Sequence, residues 1–310
     1  MLISIIIATY NRRSHLILTL ESLLKQQTDA SFEYEVIVVD NNSNDATKTA
    51  VESEFSKWNG RLKYFLEPNK GKSYAMNKGI NESKGQIIAF TDDDVIVDPR
   101  WLLNIVKCFG MYPCDGMGGR VLPEYLPDTP QWIKDNAVQL AGVVVIYDYG
   151  PETIKFNSSM YSFIGANLAY KRSVFAECGL FRTDLGPGTP TMGEDTEFTQ
   201  RLLAKGKTLY YCGQALVRHP FDQKRLDLKL MAKWHIALGK YDAQCEKQQG
   251  QTFIYCFAIP QYLIKGIIVD FLSFAANCFN RMGFLNSWRS FFRKVGMIRE
   301  YRRLSQKGVI

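Results

Sequence analysis

Asp92, Asp93 and Asp94 stand side by side directly after the apolar run Gln86 to Thr91 (QIIAFT). A short run of β-branched and aromatic residues reads as a buried strand, so the three carboxylates fall where a strand leaves its sheet. Adjacent like charges repel, and a fold tolerates them where they are solvated or neutralised by a cation. An oxygen-rich site of this kind suits Mg²⁺ or Mn²⁺, which bind through one or two carboxylates together with substrate phosphates. An ordinary polar turn is the other reading of the triplet, and its context must decide. A second acidic pair, Glu194 and Asp195, opens a segment in which Phe198, Leu202 and Leu203 recur at helical spacing. Carboxylates at a helix start favour the helix dipole whether or not they serve a reaction.

Strand and helix alternate over the first 110 residues. Leu2 to Thr9 is a strand, and Leu16, Leu20, Leu23 and Leu24 then recur at helical spacing. Glu35 to Asp40 is a second strand, followed by a helical stretch with Val51 and Phe55 on one face. Arg61 to Leu66 is a third; a helix carrying Ala75, Met76 and Ile80 leads to the fourth, before the acidic cluster. This alternation predicts right-handed βαβ crossovers and a parallel sheet, with ligands at the carboxyl ends of the strands. Thr9, Tyr10 and Asn11, then Asp40, Asn41 and Asn42, then Asp92 to Asp94, should therefore line one crevice. Asp40 there can accept hydrogen bonds from a nucleobase or ribose, or cap the next helix; the two roles are compatible.

Composition narrows the classes. A chain of 310 residues, 46% hydrophobic and 22% charged, is enough for one large α/β domain with a smaller appendage and argues against disorder. Seven cysteines without a CxxC pair or a Cys/His cluster argue for reduced thiols in a cytosolic setting, and against structural zinc. The opening LISIIIAT, without a basic leader, reads as a strand and not as a signal peptide. Gly71, Lys72 and Ser73 imitate the end of a P-loop, but Leu66 stands where that motif needs its first glycine. No GxGxxG follows the first strand, which disfavours a dinucleotide oxidoreductase.

The net charge of +7 resides at the end of the chain, where residues 281 to 310 carry eight basic residues against Glu300 alone. Leu230, Trp234, Leu238 and Tyr241 predict an amphipathic helix from Leu226 onward. Phe253 to Phe279 is apolar and aromatic but interrupted by Pro260, Gln261, Lys265, Asp270 and Asn277. A spanning helix needs about 20 mostly apolar residues, so this stretch is expected to lie in the membrane interface, with a span, a re-entrant pair or a buried helical subdomain as rivals. Trp288, Phe291 and Phe292 among the arginines read as interfacial anchors. The apolar stretch beside the basic tail favours an anionic lipid surface over nucleic acid, and no nucleic-acid partner is expected.

Eight blocks carry a resemblance: SIIIATYNR (4–12), VIVVDNNSND (36–45), GKSYAMNKGI (71–80), IIAFTDDDVIVDPRWL (87–102), GANLAYKRSVF (165–175), GLFRTDLG (179–186), GEDTEFTQRLLAKG (193–206) and ALVRHP (215–220). In order and spacing they resemble the family 2 glycosyltransferases of the GT-A fold. The resemblance covers roughly residues 3 to 240 and implies an α/β GT-A domain over 1–225, with a mostly parallel central sheet flanked by helices; the apolar stretch and basic tail described above make 226–310 a C-terminal helical, membrane-associating region. The resemblance implies that Thr9, Tyr10, Asn11 and Asp40 meet the nucleotide, that Asp92 and Asp93 approach the ribose side, and that Asp94 and His219 hold a divalent metal. Lys70 and Lys72 would meet the base or diphosphate. Asp195 would be the catalytic base beside Glu194, and Gly165, Ala166, Asn167 and Glu194 would line the acceptor site. A single base implies inversion at the anomeric carbon. Residues 118–133 (GGRVLPEYLPDTPQWI) resemble bacterial surface-polysaccharide transferases. The expectation is a UDP-sugar donor, Mn²⁺ or Mg²⁺, a glycan or lipid-linked acceptor, and a peripheral or monotopic position on the cytoplasmic face of the membrane. A nucleotidyltransferase and a non-catalytic membrane adaptor are the competing readings.

Overall fold

The structure is a computed structural model that describes residues 1–157 and 159–307. The chain divides into two compact units, Met1–Gly188 with Glu194–Asp222, and Thr189–Gly193 with Gln223–Ile310.

The first unit runs β1 (Leu2–Thr9), α1 (Arg13–Leu24), β2 (Glu33–Asp40), α2 (Thr47–Glu54), β3 (Leu62–Leu66), α3 (Lys72–Glu82), β4 (Ile87–Thr91), β5 (Ile96–Val97), α4 (Trp101–Met111), β6 (Gly116–Glu124), α5 (Gln131–Asp135), β7 (Thr153–Lys155), β8 (Asn167–Lys171), α6 (Arg172–Cys178), α7 (Glu194–Ala204) and β9 (Leu209–Pro220). The strands form one sheet in the order β3-β2-β1-β4-β8-β6-β9-β5, with β7 on β9. β1, β2 and β4 are near-continuous buried apolar runs, while the edge strand β3 is only half-buried, and the four pair in parallel. The sheet is mostly parallel as expected, with β6 and β9 also paired in parallel. It is mixed and not strictly parallel, since β8 runs antiparallel to both β4 and β6, as the short β5 and β7 do to β9.

Helix faces follow the apolar spacing with two exceptions. α1 buries Leu16, Leu20 and Leu23, and α3 buries Ala75, Met76 and Ile80. Phe55, expected beside Val51, instead enters a tight 3₁₀ turn and is exposed, while Trp58 takes the core position edge-on to Tyr34. Leu203 is exposed on α7, since five residues on from Phe198 is about 140° round the helix. Phe198 stacks on Phe175 (5.5 Å between centroids) and packs against Phe181 and Tyr170, which fixes the start of α7.

The second unit contains α8 (Leu228–Gln248), β10 (Tyr255–Cys256), β11 (Ile259–Pro260), α9 (Gln261–Ala276) and α10 (Arg281–Gln306). α8 forms where expected, but its buried face is turned from the predicted stripe: Tyr241 is buried, Trp234 and Leu238 are half-buried and Leu230 is exposed, while Met231, Ala232, His235 and Gly239 face inward. Glycines choose that face. A Cβ on Gly239 would lie 1.9 Å from the Arg293 carbonyl oxygen, and one on Gly296 2.1 Å from that of Ile236, so α8 and α10 touch backbone to backbone. Trp288, Phe291 and Phe292, expected as interfacial anchors, are only partly exposed. They are half-buried with Phe274 and Phe284, and the Trp288 indole donates to the Leu228 carbonyl (3.1 Å). Part of the basic tail is likewise paired internally, Arg293 with Asp242, Lys294 with Asp270 and Arg303 with Glu300. Among the described residues no helix is long and apolar enough to cross a membrane. Residues 308–310 of the expected membrane-associating region lie outside the described residues.

Candidate active site

Register brings the strand ends together. Thr9 pairs with Asp40 and Ile7 with Thr91, so the residues following β1, β2 and β4 emerge side by side. The Thr9 hydroxyl donates to Asp93 (2.7 Å). Asp40, buried, accepts from the Ser43 N–H (2.8 Å) and the Tyr64 hydroxyl (2.8 Å). It thereby closes its own turn, while α2 starts at Ala46 without a side-chain cap. Asn11 adopts φ +52°, a left-handed conformation that asparagine tolerates, and clasps the β2 loop through Ser43 and Asn44. Tyr10 is left 55% exposed, an aromatic ring without a packed face at the strand end.

Asp92, Asp94 and His219 present ligand atoms that all lie within 4.8 Å of one another. His219 is buried at the end of β9, with Nδ1 2.9 Å from the Pro220 carbonyl. A carbonyl only accepts, so Nδ1 carries the proton and Nε2 is free to ligate. Nε2 faces an Asp94 oxygen at 3.3 Å, a geometry of two acceptors that calls for a cation or a proton between them. Arg12 pairs with the other Asp94 oxygen and lies 3.6 Å from Asp93. Burial pushes the Asp93 carboxyl up to about 6, although Thr9 and Arg12 oppose the shift.

The second acidic pair sits at the start of α7. One Asp195 oxygen accepts from the Gly165 N–H (2.9 Å) and the other from the Thr196 N–H (2.8 Å). Burial raises both carboxyls, Glu194 to about 7 with the neighbouring Asp195 charge adding to it. Lys72, at the first turn of α3, is ion-paired with Asp92 and lies close to Glu194 and Asp195. Burial disfavours its charge, but Asp92 and Glu194 more than offset this and hold the amine protonated well above its ordinary range. Gly165 makes the approach possible, since a Cβ there would lie 3.0 Å from Lys72 Nζ and 3.8 Å from Asp195.

Two expected positions sit elsewhere. Asn167 does not face the crevice; fully buried, it donates to the Arg120 and Ala215 carbonyls (2.9 and 2.8 Å) and accepts from the Trp101 indole (2.9 Å). It plugs the irregularity where the β6–β9 register shifts after Gly119, and this corrects its expected place in an acceptor site. Ala166 is buried and contributes its carbonyl to the Thr91 hydroxyl. Lys70 is exposed on the loop before α3. Sequence reasoning missed Arg12 and Tyr64. A basic residue just past a strand end was the only signal for the former, and none existed for the latter.

Comparisons with known proteins place the chain in a family. The sequence profile of the family described as Glycosyl transferase family 2 matches residues 4–179. Glucosyl-dolichyl phosphate glucuronosyltransferase of Haloferax volcanii is 28% identical over 233 residues, covering 73% of this chain and 72% of that one. The mannosyltransferase PcManGT from Pyrobaculum calidifontis, solved with GDP-Man and Mn²⁺, superposes with a TM-score of 0.57 at 17% identity, over 99% of this chain and 74% of that one. S. aureus TarS 1-349 in complex with UDP gives 0.56 at 16% identity, over 99% and 92%. The fold is that of the GT-A glycosyltransferases. The chain belongs to glycosyltransferase family 2 and is a glycosyltransferase.

Proposed function

We propose that the chain is an inverting, metal-dependent glycosyltransferase that moves a sugar from UDP to a hydroxyl of a glycan or lipid-linked acceptor in surface-polysaccharide assembly. The observation that carries this reading is Lys72, which ties the strand-end cluster to the α7 pair through Asp92, Glu194 and Asp195. A donor-binding cluster and a candidate base are thereby adjacent, as glycosyl transfer requires.

In this reading Tyr10 stacks on the base, Asp40 and Asp92 accept from base and ribose with Thr9, Asn11 and Asp93 behind them, and Lys70 meets the diphosphate. Asp195 takes the proton of the acceptor hydroxyl as that oxygen attacks the anomeric carbon from the face opposite the leaving diphosphate, inverting it. A base must be ionised to act, and the Gly165 and Thr196 N–H groups and Lys72 favour that state against burial. Glu194 and the loop at Gly165 orient the acceptor. A divalent ion on Asp94 and His219 supplies charge neutralisation for the leaving diphosphate, and an imidazole among carboxylates favours Mn²⁺ over Mg²⁺. Mn²⁺ in the PcManGT complex and the dolichyl-phosphate acceptor named for the Haloferax relative support metal dependence and a lipid-linked acceptor. The UDP complex of TarS supports uridine, with GDP the rival base.

The region 226–310 is read as the attachment to the cytoplasmic membrane face. Ile268, Val269, Phe271 and Leu272 of α9 are each more than half exposed, and the single carboxylate of α9, Asp270, is buried on Lys294. An apolar face without negative charge, beside the basic α10, fits an anionic leaflet and peripheral docking.

Thermal unfolding with a panel of UDP-, GDP- and dTDP-sugars and Mn²⁺ tests the donor. A bound donor at 100 times its dissociation constant adds about 2.7 kcal/mol of stability. The expected result is a Mn²⁺-dependent shift with UDP-sugars and release of UDP on transfer. No shift with any nucleotide sugar, or release of pyrophosphate, would sink the proposal.

A further inference from the structure

Asp94 has one oxygen toward His219 (3.3 Å) and the other held by Arg12, whose guanidinium also reaches Asp93 at 3.6 Å. The Arg12 side chain is 43% exposed while the carboxylates are 9% and 11% exposed, so the cation approaches from the solvent side and has room to leave. Arg12 stands at the residue before α1, directly after the left-handed Asn11 that is fastened to the β2 loop, so its backbone is anchored while its side chain is not. The same Asp94 is one of three residues whose ligand atoms converge on a candidate ion position.

With the guanidinium on one oxygen of Asp94, a divalent ion at the oxygen facing His219 would meet a like charge across a single carboxylate, which opposes binding of the ion alone. We propose that Arg12 is a resident counter-cation, a positioning residue that neutralises Asp93 and Asp94 before substrate arrives and is exchanged for the metal when the diphosphate enters. The inference rests on the metal-dependent reading above. A metal ion arriving alone must displace Arg12 from its carboxylates and leave it without an anion. An ion arriving with a nucleoside diphosphate brings a new anionic partner for the guanidinium, whose fork matches phosphate oxygens. The exchange therefore couples ion and nucleotide, each strengthening the other by the same factor.

The test is Mn²⁺ binding to the full chain, followed by calorimetry and by loss of the free-ion spin-resonance signal, with and without UDP, in wild type, Arg12→Gln and Arg12→Lys. Circular dichroism and melting confirm that each variant is folded. In wild type, UDP should tighten Mn²⁺ binding by roughly 5- to 150-fold, the usual range of site coupling. Arg12→Gln should bind Mn²⁺ alone several-fold more tightly than wild type and lose most of the UDP coupling, and Arg12→Lys should fall between. Equal Mn²⁺ affinity in wild type and Arg12→Gln, or weaker affinity in the variant, overturns the exchange but leaves metal dependence standing. Failure of wild type to bind Mn²⁺ even with UDP overturns both.

Discussion

Asp93 and Asp94 after β4, and Glu194 and Asp195 at the start of α7, are both adjacent carboxylate pairs at the edge of one crevice, yet their charges are met differently. The first pair is met by side chains, the buried Thr9 hydroxyl, Nε2 of His219 and a half-exposed Arg12 that can be replaced. The second is met by the backbone N–H groups of Gly165 and Thr196, which donate to Asp195, and by Lys72; the two N–H groups are fixed in the main chain. A site neutralised by movable cations is open to exchange with a diffusible ion. A pair fixed by backbone donors and burial responds by gaining or losing a proton.

Asp94→Ala breaks the first half of that contrast most severely. Calorimetry should find that Mn²⁺ no longer strengthens UDP binding; a variant with wild-type affinity and metal dependence would remove Asp94 from the ligand set. Asp195→Asn probes the second half. Donor binding should persist while transfer falls by about 10²-fold or more, the usual loss for a general base. Near-normal turnover would shift the base to Glu194. In the wild-type enzyme kcat/KM should fall as pH drops through about 7, an acid limb that belongs to the pair and not to one residue.

Glu194→Gln sharpens the comparison through stability. The folded carboxyl is raised from 4.5 to about 7, so the native state holds a proton that the unfolded chain has already lost. Its favourable contribution is present below about 4.5 and is lost as pH rises through about 7. In metal-free protein the variant should melt like wild type near pH 4.5 and gain above pH 7, by at most about 3 kcal/mol at roughly 1.4 kcal/mol per pKa unit. A constant difference across pH would mean that the carboxyl is not buried as described. Asn167→Ala, by contrast, orphans the Trp101 indole and two carbonyls at the β6–β9 irregularity. It should cost about 2–4 kcal/mol in denaturant unfolding without changing the acceptor KM of the folded fraction.

The smallest effect is expected outside the sheet. Ile268→Glu with Leu272→Glu should lower partition onto anionic vesicles several-fold, in a salt-dependent way, and leave melting unchanged because both side chains are exposed. Equal flotation of variant and wild type would end the membrane reading of α9.

The strand–helix alternation, the acidic triplet at the end of β4 and the acidic pair at a helix start were legible without coordinates, because strand ends and helix starts are local events written in short-range periodicity. The sequence by itself also carried the family, through eight blocks in order. It did not carry the reversal of β8 between β4 and β6, since strand direction depends on where the chain returns to the sheet. Nor did it reveal that Asn167 plugs the β6–β9 irregularity, that Gly239 and Gly296 choose the faces of α8 and α10, or that Trp288 turns inward. Each of these is decided by a partner far along the chain. Arg12 is the sharpest case: its type was visible beside Asn11, but its meaning comes from Asp94, 82 residues away, and only the packed sheet brings the two charges together.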